Sequence, residues 1–268
     1  MKKLLILLLF SLVSFSSCDD IFKTHPYDVN FKHPHHINAQ QIIRIETDFA
    51  DSDTLRVAFI SDTHGWMTHT KQELDMLNER KDVDFVIHCG DLTDTGMRYE
   101  FERARDMLSR LRYPYVALIG NHDFLGTGEE AYEVIWGEKN FSFIAGGVKF
   151  VYLDTSALEY DYMAMVPDLD YMEYEATRDS SRFDRTVVVM HVPPSSEEFN
   201  KNLRKTFRYY LSLFPNLQFC VFGHNHHTYE EEMYNDGLMF YGVGSAEKHQ
   251  CRLFTITRND YEVETLYY

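Results

Sequence analysis

Five short apolar runs along the chain each break at a polar turn. Arg56–Ser61 (RVAFIS) runs into Asp62-Thr63-His64-Gly65. Phe85–Ile87 leads through His88 and Cys89 to Gly90-Asp91. Tyr115–Ile119 runs into Gly120-Asn121-His122-Asp123, Thr186–Met190 into His191, and Gln218–Phe222 into Gly223-His224-Asn225-His226. Such β-favouring runs predict buried strands. Between them, Thr70–Arg80 sets Leu74 and Leu77 at helical spacing, and Tyr99–Arg112 carries Phe101, Ala104, Leu108 and Leu111 on one stripe. Both predict surface helices that link parallel strands. Two strand–helix–strand units predict an α/β fold.

The remaining pattern fills in the ends of the chain. Gln41–Phe49 (QIIRIETDF) alternates and predicts a strand. Glu129–Trp136 predicts a short helix. Glu197–Phe214 predicts a longer one, with Phe199, Leu203, Phe207, Tyr210 and Phe214 on one side. Phe141–Ile144 and Val148–Leu153 predict a strand pair about Gly146-Gly147. Tyr229–Tyr234 and Met239–Val243 flank the hairpin turn Asn235-Asp236-Gly237. Arg252–Thr257 and Tyr261–Tyr267 predict a final antiparallel pair. Glu159–Ala176, crowded with Tyr, Met and acid, reads equally as one wall of a cleft or as a loop and helix packed on their own aromatics.

Ligands in layered α/β proteins gather outside the carboxyl ends of strands. The five strands therefore aim Asp62, His64, Asp91, Asn121, His122, His191, His224 and His226 toward one point. Gly90 gives the backbone a tight turn there and leaves room for a close neighbour. Mixed imidazole and carboxylate groups suit zinc, iron or manganese, and do not suit an all-oxygen calcium cage.

The blocks D-x-H (Asp62, His64), G-D-x-x-D (Gly90-Asp91 to Asp94), G-N-H-D (Gly120–Asp123), His191 and G-H-x-H (Gly223-His224 to His226) occur in this order. In this the chain resembles the calcineurin-like metallophosphoesterases over residues 62 to 226. The resemblance implies two mixed β-sheets packed as a sandwich and flanked by helices, four layers in all. It implies two transition-metal ions (manganese, iron or zinc), with Asp91 as their bridge. Asp62, His64 and His226 would complete one ion, and Asn121, His191 and His224 the other. It further implies hydrolysis of a small-molecule phosphate mono- or diester by a metal-bridging hydroxide, with His122 as general acid and Asp123 holding the His122 ring. Asp94 stands where the related purple acid phosphatases have a tyrosine ligand, which argues against an iron–tyrosinate centre. Gly90–Gly96 looks closer to bacterial class III cyclic nucleotide phosphodiesterases. Asp154 is expected to serve as a turn or outer carboxylate. A catalytically silent metal-binding protein of the same fold is the alternative, and the presence of His122 with all seven ligands argues against it.

Charge and cysteine content narrow this further. Lys2 and Lys3 precede the apolar run Leu4–Phe15 and then Ser16-Ser17-Cys18. A membrane span needs about 20 apolar residues, so residues 1–17 read as a signal peptide. Cys18 after Ser16-Ser17 resembles a bacterial lipoprotein signal with Cys18 as the lipidated residue; an ordinary secretory signal with Cys18 nearby by chance is the alternative. Residues 18–40 then form an N-terminal tether, and residues 41–268 one catalytic domain. Residues 1–17 hold two lysines and no acid, so their removal takes the net charge from −16 to −18. So acidic a chain excludes non-specific nucleic-acid binding, which needs a basic face. Cys89, Cys220 and Cys251 follow no metal-knuckle or disulfide spacing and read as buried small hydrophobes. The expected location is the cell envelope, held to the membrane by lipid. Cells expressing Cys18→Ser test this: the variant should leave the membrane fraction, and its retention there at the wild-type level contradicts the anchor.

Overall fold

A computed structural model describes residues 25–161 and 163–268. Residues 1–17, expected as a signal peptide, and Cys18 lie outside the described residues. Three parallel strands, β1 (Leu55–Ile60), β2 (Phe85–His88) and β3 (Tyr115–Ala117), form one side of the first sheet. The sheet is completed antiparallel by β10 (Gln250–Ile256) and β11 (Tyr261–Tyr267), in the order β11-β10-β1-β2-β3. The second sheet holds β4 (Phe141–Ala145), β5 (Val148–Leu153), β6 (Arg185–Met190), β7 (Leu217–Phe222), β8 (Tyr229–Glu231) and β9 (Phe240–Gly242). Its order is β4-β5-β6-β7-β9-β8, with β5, β6, β7 and β9 parallel.

Strand periodicity explains how the sheets stack. On β1, Val57 and Phe59 point into the central core with Phe85 and Ile87 of β2 and with Phe150, Val187, Val189, Phe219 and Val221 of the second sheet. Ala58 and Ile60 point the other way, under helices α2 (Met67–Glu79), α3 (Arg98–Leu108) and α4 (Gly128–Ile135). Val188, Met190, Cys220 and Phe222 likewise face α5 (Leu169–Thr177) and α6 (Arg204–Leu211). Both faces of each sheet are thus covered, which is why these strands read as unbroken apolar runs rather than alternating ones. Helix, sheet, sheet and helix make the four expected layers. Cys89, Cys220 and Cys251 are free and buried, as expected.

Two expectations are corrected. Gln41–Phe49 is not a strand: helix α1 (Ile37–Asp48) occupies it. Ile43, Ile45 and Phe49 alternate as a strand would, but the residues that pack on the central core are Ile42, Ile45 and Phe49, at a helical spacing, so a short window fitted both periods. Tertiary pairing decides for the helix. β3 is a sheet edge, and Asn38 of α1 bonds its backbone in both directions: Nδ2 donates to Ala117 O at 2.8 Å and Oδ1 accepts Ala117 N–H at 2.9 Å. One amide side chain thus covers an edge that would otherwise stay open. The second correction is to Glu197–Phe214, where only Arg204–Leu211 is helical. The preceding residues form turns beneath which Phe199 is buried. Residues 25–36, expected as tether, lie against the body. Phe31 is buried, and Arg98 Nη1 of α3 bonds Asp28 Oδ2 at 2.7 Å.

Candidate metal centre

The carboxyl ends of β1, β2 and β3 meet those of β6 and β7. Asp62 N–H bonds Gly90 O at 3.0 Å, and His64 N–H bonds Asp91 O at 3.1 Å, tying the turn after β1 to the turn after β2. His224 N–H, after β7, is shared between Asp62 Oδ1 and Oδ2 at 3.1 Å each. Ser61 and Ser245 form a bridge that joins the end of β1 to the segment after β9. These contacts join the turns after β1, β2 and β7, and the bond between His191 Nδ1 and Cys89 O at 2.8 Å brings in the end of β6.

The turns are sharp enough to force an unusual backbone. Asp62, His64, Asp91, His224 and His226 all have φ between 42° and 68°. A side-chain-bearing residue held in the left-handed region costs on the order of 1 kcal/mol or more. Five such residues store strain comparable with a good part of the ~5–15 kcal/mol that keeps a domain folded. Two glycines show how close the approach is. A Cβ on Gly90 would stand 2.6 Å from His191 Nδ1, so the room expected beside Gly90 is filled by that ring. A Cβ on Gly120 would stand 2.2 Å from Asp91 Oδ1.

The donor atoms fall into two groups that share Asp91. In the first, His226 Nε2 lies 3.3 Å from Asp62 Oδ1 and 3.3 Å from His64 Nε2. His64 Nε2 lies 3.6 Å from Asp91 Oδ2. These four side chains converge closely enough to hold one ion. In the second, His191 Nε2 lies 3.2 Å from the same Asp91 Oδ2 and 3.1 Å from Asn121 Oδ1. His224 Nδ1 lies 3.1 Å from Asn121 Oδ1. Asp91 Oδ1 accepts His122 N–H at 3.0 Å, leaving Oδ2 to face both groups.

Nitrogen and oxygen donors converging on shared points, with Asp62 and Asp91 buried, fit divalent cations. In their absence protons take the role. Burial alone would push the Asp62 and Asp91 carboxyls up. The neighbouring imidazoles, His226 for Asp62 and His191 for Asp91, outweigh it and hold both low. Burial likewise opposes charge on His191, yet the Asp91 charge and bond raise it to about 10. Its Nδ1 donates to Cys89 O at 2.8 Å, so His191 is an imidazolium with both N–H groups engaged. Burial and the charge of His191 depress His224 to about 4.

His122 and Asp123 sit on the short 3₁₀ turn Asn121–Phe124. The His122 ring packs edge-on against His64, with centroids 4.8 Å apart. Asp123 does not hold it. Its carboxylate accepts the N–H groups of Leu92 (3.1 Å), Thr93 (2.8 Å) and Gly120 (3.0 Å) and the Thr93 hydroxyl (2.7 Å). The ring is held instead by Asp94, whose backbone carbonyl accepts from His122 Nδ1 at 2.8 Å. Asp123 therefore fixes the turn after β2 to the turn after β3, because a fully buried carboxylate there meets four donors. Burial and the charge of Asp91 raise its pKa to about 7. The Asp94 carboxylate is mostly exposed and 3.8 Å from His64 Nδ1, and that nitrogen bonds Thr93 O at 3.1 Å. Asp154 is a turn carboxylate, accepting Ser156 N–H and the Tyr160 hydroxyl at 3.0 Å each. In the Glu159–Ala176 segment, Tyr160 packs on Phe124 next to His122, while Met172 and Ala176 sit in the outer core. The packing of Met172 and Ala176 fits the reading of that segment as a loop and helix packed on the body.

Cavity volume does not mark this centre. A concavity of about 530 Å³ lies at the opposite ends of the strands, lined by Asp53, Gly147, Arg182 and Arg185 among others. Sequence reasoning missed Ser196 and Glu198, which stand behind His224 (Ser196 Oγ to Nε2, 3.1 Å; Glu198 Oε2 to Nε2, 4.0 Å). Nothing in their residue types or spacing singles them out.

Residues 55–228 match the family described as calcineurin-like phosphoesterase. The chain is 23% identical over 193 residues to a 3′,5′-cyclic-nucleotide phosphodiesterase of Nostoc sp., covering 69% of this chain and 70% of that protein. It is 28% identical over 162 residues to the serine/threonine-protein phosphatase CPPED1 of Rattus norvegicus, covering 52% of this chain and 51% of the relative. A dimetal phosphatase from Danio rerio superposes with a TM-score of 0.60 at 14% identity, covering 80% of this chain and 99% of that one.

Proton occupancy of the centre gives a testable sign. With its pKa raised to about 10, His191 is protonated in the metal-free protein at neutral pH. An imidazole must lose that proton to bind a cation. Cation uptake should therefore release protons, and affinity should rise between about pH 6 and about pH 9. Titration calorimetry in buffers of differing ionisation enthalpy measures the release. Binding without proton release, at constant affinity across that range, contradicts the charge state assigned to His191.

Proposed function

Because this chain belongs to the calcineurin-like phosphoesterase family, whose relatives are named as phosphodiesterases and phosphatases, we propose that it hydrolyses small phosphate mono- or diesters at the centre shared by Asp91, with His122 as the proton donor. The chain is a metal-dependent phosphoesterase. Asp62, His64, Asp91 and His226 would hold one divalent cation, and Asp91, Asn121, His191 and His224 a second. Bound there, such ions supply Lewis-acid polarisation of phosphoryl oxygens and a water that loses its proton near neutral pH. The observation that carries this reading is Asp91 Oδ2, which faces donors of both groups.

The chain's own residues supply the rest. A carbonyl only accepts, so His122 Nδ1 carries a hydrogen toward Asp94 O and Nε2 is free to face the leaving oxygen. Burial works against charge on this ring. The carboxylate of Asp91 and the Asp94 carbonyl outweigh burial and raise the pKa of His122. An acid needs that direction of shift to be protonated at working pH. Asp123 keeps the two turns in register, so Asp91 and His122 face one another across the 3.0 Å bond from His122 N–H to Asp91 Oδ1. The Nostoc relative is named as a cyclic-nucleotide phosphodiesterase and the rat relative as a protein phosphatase, which supports phosphate esters as the class without choosing between diester and monoester. Residues 1–18 support export and membrane anchoring, so the substrate is met at the cell envelope.

The acid role is tested by leaving group. An alkoxide needs a proton in order to depart, and a nitrophenolate does not. General acid catalysis contributes about 10²–10⁴-fold. His122→Ala should lose most of that in kcat on an alkyl phosphate ester and far less on a nitrophenyl ester, at unchanged metal content. Equal losses on both remove His122 from the acid role. No turnover of either ester by the metal-loaded wild type supports the silent metal-binding alternative.

A further inference from the structure

The imidazoles of the centre differ in what fixes their outer nitrogen. His64, His122 and His191 each direct Nδ1 at a backbone carbonyl: Thr93 O at 3.1 Å, Asp94 O at 2.8 Å and Cys89 O at 2.8 Å. A carbonyl only accepts, so each Nδ1 carries a hydrogen and each Nε2 is turned inward. His224 is reversed. Its Nδ1 faces inward, 3.1 Å from Asn121 Oδ1, and its Nε2 faces outward, 3.1 Å from Ser196 Oγ. Neither contact is to a carbonyl of the main chain, so the main chain leaves the tautomer of this ring open.

That freedom matters for binding. If the hydrogen sits on Nδ1, it points at Asn121 Oδ1 and the remaining lone pair, on Nε2, faces away from the centre. If it sits on Nε2, a partner outside the centre must accept it, and Nδ1 is left bare. Ser196 Oγ is placed to be that partner. It also accepts Glu198 N–H at 3.2 Å, which holds the hydroxyl in position. Glu198 Oε2 is buried without a hydrogen-bond partner and stands 4.0 Å from the same Nε2, so negative charge backs the imidazole on its outer side. His191 begins the loop that carries Ser196 and Glu198, so one loop contributes one ring and orients another.

Resting on the dinuclear reading above, we propose that Ser196 is the positioning residue of His224: its hydroxyl accepts Nε2–H, selects the tautomer with Nδ1 bare, and thereby sets the affinity of the cation held with Asn121 and His191. The cation on the Asp62, His64 and His226 side lacks this dependence. Outer partners of ligand imidazoles typically govern affinity by about 10–100-fold.

The test is titration of chelator-stripped protein with manganese(II), read by calorimetry and by electron paramagnetic resonance. Wild type should take up two ions and show the signal of a coupled pair. Ser196→Ala should weaken one ion by about 10–100-fold and leave the other within about two-fold, so that at limiting manganese the coupled signal gives way to an isolated ion. Ser196→Thr keeps a hydroxyl and should restore the pair. Ser196 is only partly buried in a loop, so the variants keep the core. Two ions bound by Ser196→Ala with wild-type affinity overturn the proposal, as does a Thr variant that behaves like Ala. A wild type that binds no manganese, or a single ion, instead overturns the dinuclear reading beneath it.

Discussion

Asp62 and Asp91 are buried side by side at the meeting of two sheets, and among the described residues their ion pairs run only to histidines: His64 and His226 for Asp62, His64 and His191 for Asp91. A buried carboxylate without compensating charge is costly. Among the described residues no lysine or arginine pairs with these two, so there the compensating charge arrives as protons on imidazoles or as cations. The rest of the centre follows from that requirement. His191 is driven to the imidazolium state by Asp91 while His224, next to it, is held neutral. The left-handed turns at five donor positions are tolerated because backbone bonds between the turns, and Asp123 with its four donors, hold them.

The four-layer fold serves this convergence. The central strands of each sheet are apolar on both faces, one covered by helices and the other by the opposite sheet, and cannot move relative to one another without exposing core. The polar groups are confined to the strand ends, where the chain has to turn. A packed body that ends in five tight turns suits a site whose donor atoms must be held within about 0.5 Å of their working geometry. The exchange of chemistry between relatives named as phosphodiesterases and phosphatases fits a fixed centre with variable walls.

Much of this was legible in the sequence because strands buried on both faces are unambiguous apolar runs and their ends carry ligand residue types. The close neighbour expected beside Gly90 is the His191 ring. Gln41–Phe49 reads as a strand because Ile43, Ile45 and Phe49 keep a two-residue alternation, while Ile42, Ile45 and Phe49 keep a helical spacing, and the deciding contact, Asn38 on Ala117, spans 79 positions. The resemblance implies that Asp123 holds the His122 ring; in space its carboxylate reaches the turn after β2, and a backbone carbonyl holds the ring. Ser196 and Glu198 were invisible because their part depends on which nitrogen of His224 faces outward, which only coordinates reveal.

The central claim is that one carboxylate oxygen, Asp91 Oδ2, serves both donor groups. Asp91→Asn keeps the shape of the side chain and removes its charge. Elemental analysis of that variant after dialysis, beside wild type, tests the claim most directly. Loss of both ions together is the predicted result. Two ions retained as tightly as in wild type, or loss of one alone, would contradict a shared Asp91.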